Sequence, residues 1–397
     1  MLKITRKELI NSAAAVAALA IYLALIFIFY IHTPIYHLYS SAPGEHVYYE
    51  KAAVISVSQE NIARDESLGL DVGSQEVKLR ILTGVYRGEV ITVKNSLNYV
   101  TNVRARAGSN VIVYIDTVGK TFDVWIYSYD RGPFLYIFGL LFVLALCVIG
   151  GRRGIRSVLG IIFTFASIVF LFIPMLYRGY SPALAAVGVV IITTCVALVL
   201  IGGLSTKTLA AILGTTAGIA FSSLILAVAL GITHLTGYSS NEADVLIQIA
   251  GGTHLQVSQL LFAAILISSL GAIMDIAISI ASAVNEVYLS SSMSFSELFH
   301  SGMNVGRDMM GTMANTLIIA FTGTSLNLLI LIYSWNVQYY QLLNNNEIGI
   351  YIVQAVAGSI AVVLTVPLVS FFAAQLIPVL DPGTNHPVTS SDGKESF

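Results

Sequence analysis

The sequence has few charged residues for its length, and this scarcity excludes an ordinary water-soluble domain. Asp, Glu, Lys and Arg together make up 11% of the 397 residues, whereas hydrophobic residues make up 56%. A typical soluble domain carries about 25% charged residues. The mean hydropathy is +0.80. We therefore expect that lipid, rather than water, surrounds much of the fold.

The sequence also lacks the features that indicate several classes of function. The net charge is -2 with both signs scattered, so no basic surface for nucleic acid is predicted. The two cysteines, Cys147 and Cys195, lie in apolar runs, where they pack as small hydrophobes. No metal-type Cys/His spacing, HExxH, GxSxG or Walker-type phosphate loop is present. We expect no cofactor and no metal, and an enzyme is the third hypothesis because no nucleophile–base pair can be named.

Long apolar runs predict a polytopic α-helical membrane protein with about eight transmembrane helices. The first run follows basic residues and is long enough to be an anchor instead of a cleaved signal peptide. The predicted spans are about Leu9–Ile31, Phe134–Gly150, Ser157–Tyr177, Ser181–Ile201, Thr208–Thr233, Val257–Ala283, Thr312–Tyr333 and Gly349–Leu380.

The distribution of basic residues predicts the orientation of these spans. Short cytoplasmic connections are enriched in Lys and Arg. Basic residues cluster in the N-terminus and in alternate short connections, at Arg152, Arg153, Arg156, Lys207 and Arg307. Both termini are therefore expected on the cytoplasmic side of the cell membrane. The predicted order is a cytoplasmic N-terminus (1–8), an anchor helix (9–31), an extracytoplasmic domain (43–131), a seven-helix transmembrane domain (134–380) and a disordered cytoplasmic tail (381–397).

The segment between the first two spans is different in character. Its apolar residues alternate with polar ones in five short runs separated by Gly, Asn and Asp, namely Val47–Val57, Glu76–Leu82, Glu89–Val93, Asn110–Ile115 and Phe122–Tyr127. Such a pattern predicts antiparallel strands. Five short strands suit a small OB-like or SH3-like barrel, which binds a ligand in some proteins and serves as a rigid spacer in others.

Polar residues in the sixth and seventh predicted spans, and next to their cytoplasmic ends, are the candidate functional residues. A charge at the bilayer centre costs about 2.5–3.5 kcal/mol on insertion scales, so such residues are rare. At 100° per residue, two stripes of aligned residues result. The first consists of Ser268, Gly271, Asp275, Ser279, Ser282 and Glu286, and the second, on the next helix, of Asn304, Asp308, Gly311, Asn315 and Thr322. The candidates for a transport or ion path are Asp275, Ser279, Ser282, Glu286, Asn304, Arg307, Asp308 and Asn315.

Two interpretations of these stripes remain open. Intramembrane carboxylates usually face a cavity and bind protons, ions or a basic partner, and Arg307 is the candidate partner of Asp275. Alternatively, the serines, asparagines and glycines hold helices together, with Glu286, Arg307 and Asp308 at the wet interface. The small-residue ridge Gly214, Gly218, Ser222 of the fifth span is interpreted as packing alone.

Three segments resemble the YibE/F family: GLSTKTLAAILGT (203–215), GAIMDIAISIASAVNE (271–286) and GRDMMGTMANT (306–316). The similarity extends to the anchor, the β-rich segment and the turn at 151–156. This family consists of multi-pass membrane proteins without an established biochemical activity. The resemblance therefore implies the architecture and leaves the activity open.

These observations lead to two main hypotheses of function. The first is a membrane transporter or permease for an unidentified small solute or ion, with a polar path on helices 6 and 7. The second is a non-transporting scaffold or sensor, whose outer β domain binds a ligand or partner. The lipid bilayer is the expected surrounding in both, and a homo-oligomer is compatible with either.

Overall fold

The computed structural model describes residues 20, 22–24, 26–34, 45–118, 122–291 and 293–380. The predicted cytoplasmic N-terminus (1–8), most of the predicted anchor and the predicted tail (381–397) lie outside these residues. The chain divides into two compact units, one formed by Met1–Tyr36 and Leu146–Phe397 and the other by His37–Ala145. Each unit is described separately.

The second unit contains a five-stranded antiparallel sheet that curls into a half-barrel. Its strands are β1 (Glu45–Asp65), β2 (Leu70–Ile81), β3 (Val90–Leu97), β4 (Asn110–Val118) and β5 (Asp123–Tyr129), in the order β3-β2-β1-β4-β5. The long β1 pairs with β4 along its first half and with β2 along its second. The two edge strands, β3 and β5, also contact each other.

Irregularities in β1 allow the sheet to curl. Its register with β2 shifts between Val54 and Ser56 and again between Ser58 and Asn61. Such bulges bend a strand and increase its twist. Gly73 of β2 lies opposite the second irregularity with φ +139°, and a Cβ there would lie 2.0 Å from the Asn61 carbonyl oxygen. Only glycine fits this close approach.

Alternating side chains fill the half-barrel. Val77, Leu79 and Ile81 of β2 are buried, as are Val111, Val113 and Ile115 of β4. Period-two alternation in the sequence predicts this arrangement, because successive residues of a strand point to opposite faces. The β-rich segment is thus an antiparallel domain with its own apolar core.

The remaining elements are helices. They are α1 (Tyr22–Ile31), α2 (Gly132–Ser167), α3 (Ile173–Tyr177), α4 (Pro182–Gly202), α5 (Thr206–Thr233), α6 (Ala243–Gly251), α7 (Leu260–Ser290), α8 (Phe295–Thr324), α9 (Leu326–Ser334), α10 (Tyr339–Leu343) and α11 (Asn346–Leu380). A π-helical turn (Ile168–Phe172) connects α2 to α3. Among the described residues, five helical segments are long and apolar enough to cross a membrane, or six when α8 and α9, which meet at 61°, count as one.

The predicted number of eight spans is therefore not confirmed. The first predicted span lies largely outside the described residues. The second and third fall together in the helical segment Gly132–Tyr177, which counts once. This segment changes direction at Gly151 (φ 53°, ψ −130°), and a Cβ on Gly154 would lie 1.9 Å from the Leu146 carbonyl oxygen. Residues eight apart are about 12 Å apart along a straight helix, so the chain folds back here.

Close helix packing forms the core of the larger unit. Helix α11 contacts α5, α7 and α8, and buried Ile, Val and Ala side chains fill the space between them. A Cβ on Gly214 would lie 2.5 Å from the Val369 side chain, and a Cβ on Gly218 would lie 2.3 Å from Thr365 Oγ1. Ser222 is buried on the same ridge. The interpretation of this ridge as a packing surface is confirmed.

Candidate functional site

Asp275 lies near the middle of the polar stripe on α7. Helix α7 has 31 residues, with fifteen before Asp275 (260–274) and fifteen after it (276–290). At 1.5 Å per residue, Asp275 is about 22 Å from either end of a helix that is long enough to cross a hydrocarbon core of about 30 Å. The residue is nevertheless exposed on the surface of this chain.

The other members of the stripe are arranged at helical spacing around Asp275. Ser268 and Gly271 are exposed towards one end, whereas Ser279 and Ser282 are partly buried and Glu286 is exposed towards the other end. The core of the helix lies on the opposite side, where Ile273, Ile276 and Ile280 are fully buried. The predicted stripe is thus a surface of the chain, not part of its interior.

Some serine hydroxyls of α7 form hydrogen bonds within the helical unit. The Ser279 hydroxyl donates to the Asp275 backbone oxygen at 2.7 Å. The Ser268 hydroxyl donates to the Ile265 carbonyl at 2.9 Å and accepts from Gln354 Nε2 of α11 at 3.0 Å. These bonds fix the serines within the bundle. In the part of the chain that the structure describes, no hydrogen bond or ion pair reaches the Asp275 carboxylate.

Helix α8 carries the second stripe. A capping box starts the helix, in which the Ser294 and Glu297 side chains bond each other's backbone amides. Asn304, Arg307, Asp308 and Asn315 are all exposed, and Arg307 Nη1 lies 3.4 Å from Asn304 Oδ1. The predicted residues of this stripe therefore share an exposed face, and Arg307 has no carboxylate partner among the described residues.

Glycines on the opposite side of α8 lie against both α11 and α7, with Gly302 next to Ser370 and Gly306 next to Val366 of α11. A Cβ on Gly302 would lie 3.0 Å from Val284, and a Cβ on Gly306 would lie 3.0 Å from Ile280. Residue numbers rise along α8 as they fall along α7, so the two helices are antiparallel. The same relation puts Arg307 level with residue 279, about 6 Å along the axis from Asp275. The two charges lie at similar depths, but on exposed faces without a contact between them.

The β domain contains a charged cleft that no sequence pattern predicts. Arg104 lies between two carboxylates, with Nη2 2.7 Å from Glu60 Oε1 and Nη1 3.1 Å from Asp71 Oδ2. Hydrogen bonds to Asp71 and then to Glu60 raise the pKa of Arg104, which keeps the guanidinium charged. A cleft of about 310 Å³ adjoins this group, and its lining includes Arg106 and Tyr129. The residues are too far apart in sequence for any local motif to reveal them.

The structure shows no candidate metal site among the residues that it describes. Within the described residues, no three His, Cys, Asp or Glu side chains are close enough to hold a metal ion. Cys147 and Cys195 are free and half-buried.

Comparison with known families identifies the helical unit. The family described as YibE/F-like protein matches residues 138–379, which include both polar stripes. The chain belongs to the YibE/F-like family. The match confirms the resemblance of the helical segments, whereas strands β1–β5 lie outside it. No curated protein and no solved structure matches the chain. Together with the long apolar helices, family membership identifies a helical membrane protein.

Proposed function

We propose that this YibE/F-like chain is a multi-pass protein of the cytoplasmic membrane with both termini in the cytoplasm. The cluster Arg152, Arg153 and Arg156 supports this orientation, because it follows the bend at Gly151 and short basic connections remain on the cytoplasmic side. The helical segment Gly132–Tyr177 has 46 residues, about 69 Å in length, which is enough for two crossings. The β domain (43–131) is then extracytoplasmic, and its strand order supports a partly open OB-type barrel.

Within this topology, we propose that the protein is a transporter or permease for a small solute or ion. The observation that carries the proposal is the exposed, unpaired carboxylate of Asp275 at the middle of α7. A carboxylate at this depth is costly against lipid, and intramembrane carboxylates mark ion and substrate paths. The exposed stripe from Ser268 to Glu286 gives polar groups at successive turns along that path.

The path continues on α8. Asp308 and Asn315 supply oxygen ligands for a cation, whereas Asn304 Oδ1 accepts from Arg307, which lies about 6 Å in depth from Asp275. Asp275 is the coupling residue of this proposal, because a proton or cation that it binds neutralises its charge within the low-dielectric region.

A flux screen in proteoliposomes tests this function. Purified wild-type protein and the Asp275→Asn variant are reconstituted at equal density, and ion and solute fluxes are compared with those of empty liposomes. We expect a flux in wild-type vesicles that falls at least about tenfold in the variant, because the amide keeps the shape and removes the charge. Equal fluxes in wild-type and variant vesicles would contradict the role of Asp275.

The charged cleft of the β domain favours a second function, a scaffold or sensor without transport. Arg106 lines the cleft next to the paired groups of Arg104 and Asp71, and its guanidinium, unpaired among the described residues, suits a small anionic ligand. The second function is supported if wild-type vesicles show no flux, while an anion binds the β domain and the Arg106→Gln variant loses that binding. Arg106 forms no ion pair among the described residues, so its replacement leaves the pairs of Arg104 intact.

A further inference from the structure

The exposed polar stripes leave the single chain unsuited to a lipid environment. Helix α7 is about 46 Å long, so a hydrocarbon core of about 30 Å leaves roughly 8 Å of helix at each end. Asp275 and Arg307, at about 22 Å and 17 Å from the end of α7 at Ser290, both lie within that 30 Å, so Arg307 belongs to helix α8 and not to the short connection that the sequence predicted. Both side chains are exposed and neither has an ion pair within the described residues.

Charged residues within membranes almost always face protein or water and pair with one another. The chain offers both members of such a pair, but on separate exposed faces of neighbouring helices. Copies of one membrane protein share the same depth and orientation in the bilayer, so each residue has the same depth in every copy. The difference of about 6 Å between the two charges along the helix axis is within the reach of an arginine side chain.

We propose that a second copy of this chain covers the polar stripes, and that Arg307 of one copy pairs with Asp275 of the other. Small side chains allow the close approach that this interface requires. Gly271 of α7 and Gly311 of α8 are exposed, and a Cβ at either position meets nothing within 4 Å. Thr312, Thr316 and Ala320 continue a small-residue ridge along the exposed side of α8, a composition typical of helix interfaces in membranes.

This interface adds to the proposed transport path and does not replace it. It depends on the proposed function in one respect, which is that α7 and α8 must lie across the membrane. The stripes of two copies then enclose polar groups between protein surfaces. The coupling residue lies at the boundary between subunits, with the arginine of the neighbouring copy as its counter-charge.

Cross-linking between differently tagged copies tests the interface. Both copies carry Ala in place of Cys147 and Cys195; one carries Gly271→Cys and the other Gly311→Cys. The proteins are co-expressed and treated in native membranes with a short bis-maleimide. We expect a cross-linked product that contains both tags. The matched control pairs Gly311→Cys with Phe221→Cys, which lies near the middle of α5 and is 55% exposed on a face without polar neighbours.

Affinity purification of one tag measures the charge pair in otherwise unmodified copies. We expect Asp275→Asn in both copies to lower recovery of the second tag at least about tenfold, as does Arg307→Gln. Absence of mixed-tag product for the Gly271/Gly311 pair, although a small maleimide labels both cysteines, would overturn the proposal. Cross-linking without flux would contradict transport alone, and flux that depends on Asp275 without cross-linking would contradict the interface alone.

Discussion

The buried side chain of Gln75 connects the β domain's sheet to its longest loop, and its removal should destabilise the domain. Gln75 is 1% exposed. Its amide nitrogen donates to the Ala105 carbonyl at 3.1 Å, and its oxygen accepts from the Ala105 amide at 3.0 Å and from Asn95 Nδ2 at 3.2 Å. Gln75→Ala leaves both backbone groups of Ala105 without partners.

The magnitude follows from those lost bonds. A buried polar group without a partner costs about 1–3 kcal/mol, so two such groups predict a loss of roughly 2–6 kcal/mol in unfolding free energy. Domains of this size have about 5–15 kcal/mol in total. Lys78→Ala on the same strand is the matched control, because Lys78 is exposed and forms no ion pair among the described residues. We expect that control to change stability by less than about 0.5 kcal/mol.

Urea unfolding of the fragment 43–131, followed by circular dichroism, measures both variants against the wild-type fragment. The fragment should unfold cooperatively, because its apolar core is internal to the domain. A loss below about 1 kcal/mol for Gln75→Ala would refute the reasoning, since it would mean that water or a rearranged loop satisfies Ala105.

Two further predictions concern the helical unit and the topology. In α5, Gly214→Ala should lower the stability of the purified protein against heat by about 1–3 kcal/mol, because the new Cβ clashes with Val369. Gly231→Ala is the control and should keep or raise the stability, because a Cβ there meets nothing within 4 Å. Equal effects of the two substitutions would contradict the packing. The orientation is tested with a membrane-impermeant maleimide in a background without native cysteines. The reagent should label Val100→Cys in intact cells and Arg153→Cys only after the cells are opened. The reverse pattern would contradict the proposed orientation.

The strands show where sequence patterns suffice. All five predicted runs overlap observed strands, because apolar alternation reports which face of a strand is buried. The pattern fails after residue 57, where β1 continues through a polar segment to Asp65. Pairing with β2 holds this segment in the sheet, and cross-strand pairing does not depend on alternation within one strand.

The candidate site shows a different limit. Helical periodicity predicts which residues share a face, and the stripes on α7 and α8 follow it. Periodicity does not indicate whether that face meets the protein interior, another chain or lipid. Asp275 and Arg307 therefore share the exposed surface without contact, although the sequence offered Arg307 as a candidate partner of Asp275. Likewise, the contact between Arg104 and Asp71 depends on residues 33 positions apart, which only the folded sheet brings together.

The most direct test of the central proposal is the access of water to position 275. Asp275→Cys and Phe221→Cys are compared in the background without native cysteines, because both native side chains are exposed and both positions are near the middle of a long helix. A charged, membrane-impermeant thiol reagent reacts only where water reaches the thiolate. A hydrated path predicts rapid modification of Asp275→Cys and none of Phe221→Cys. If Asp275→Cys were as unreactive as Phe221→Cys, the proposed path through Asp275 would be wrong.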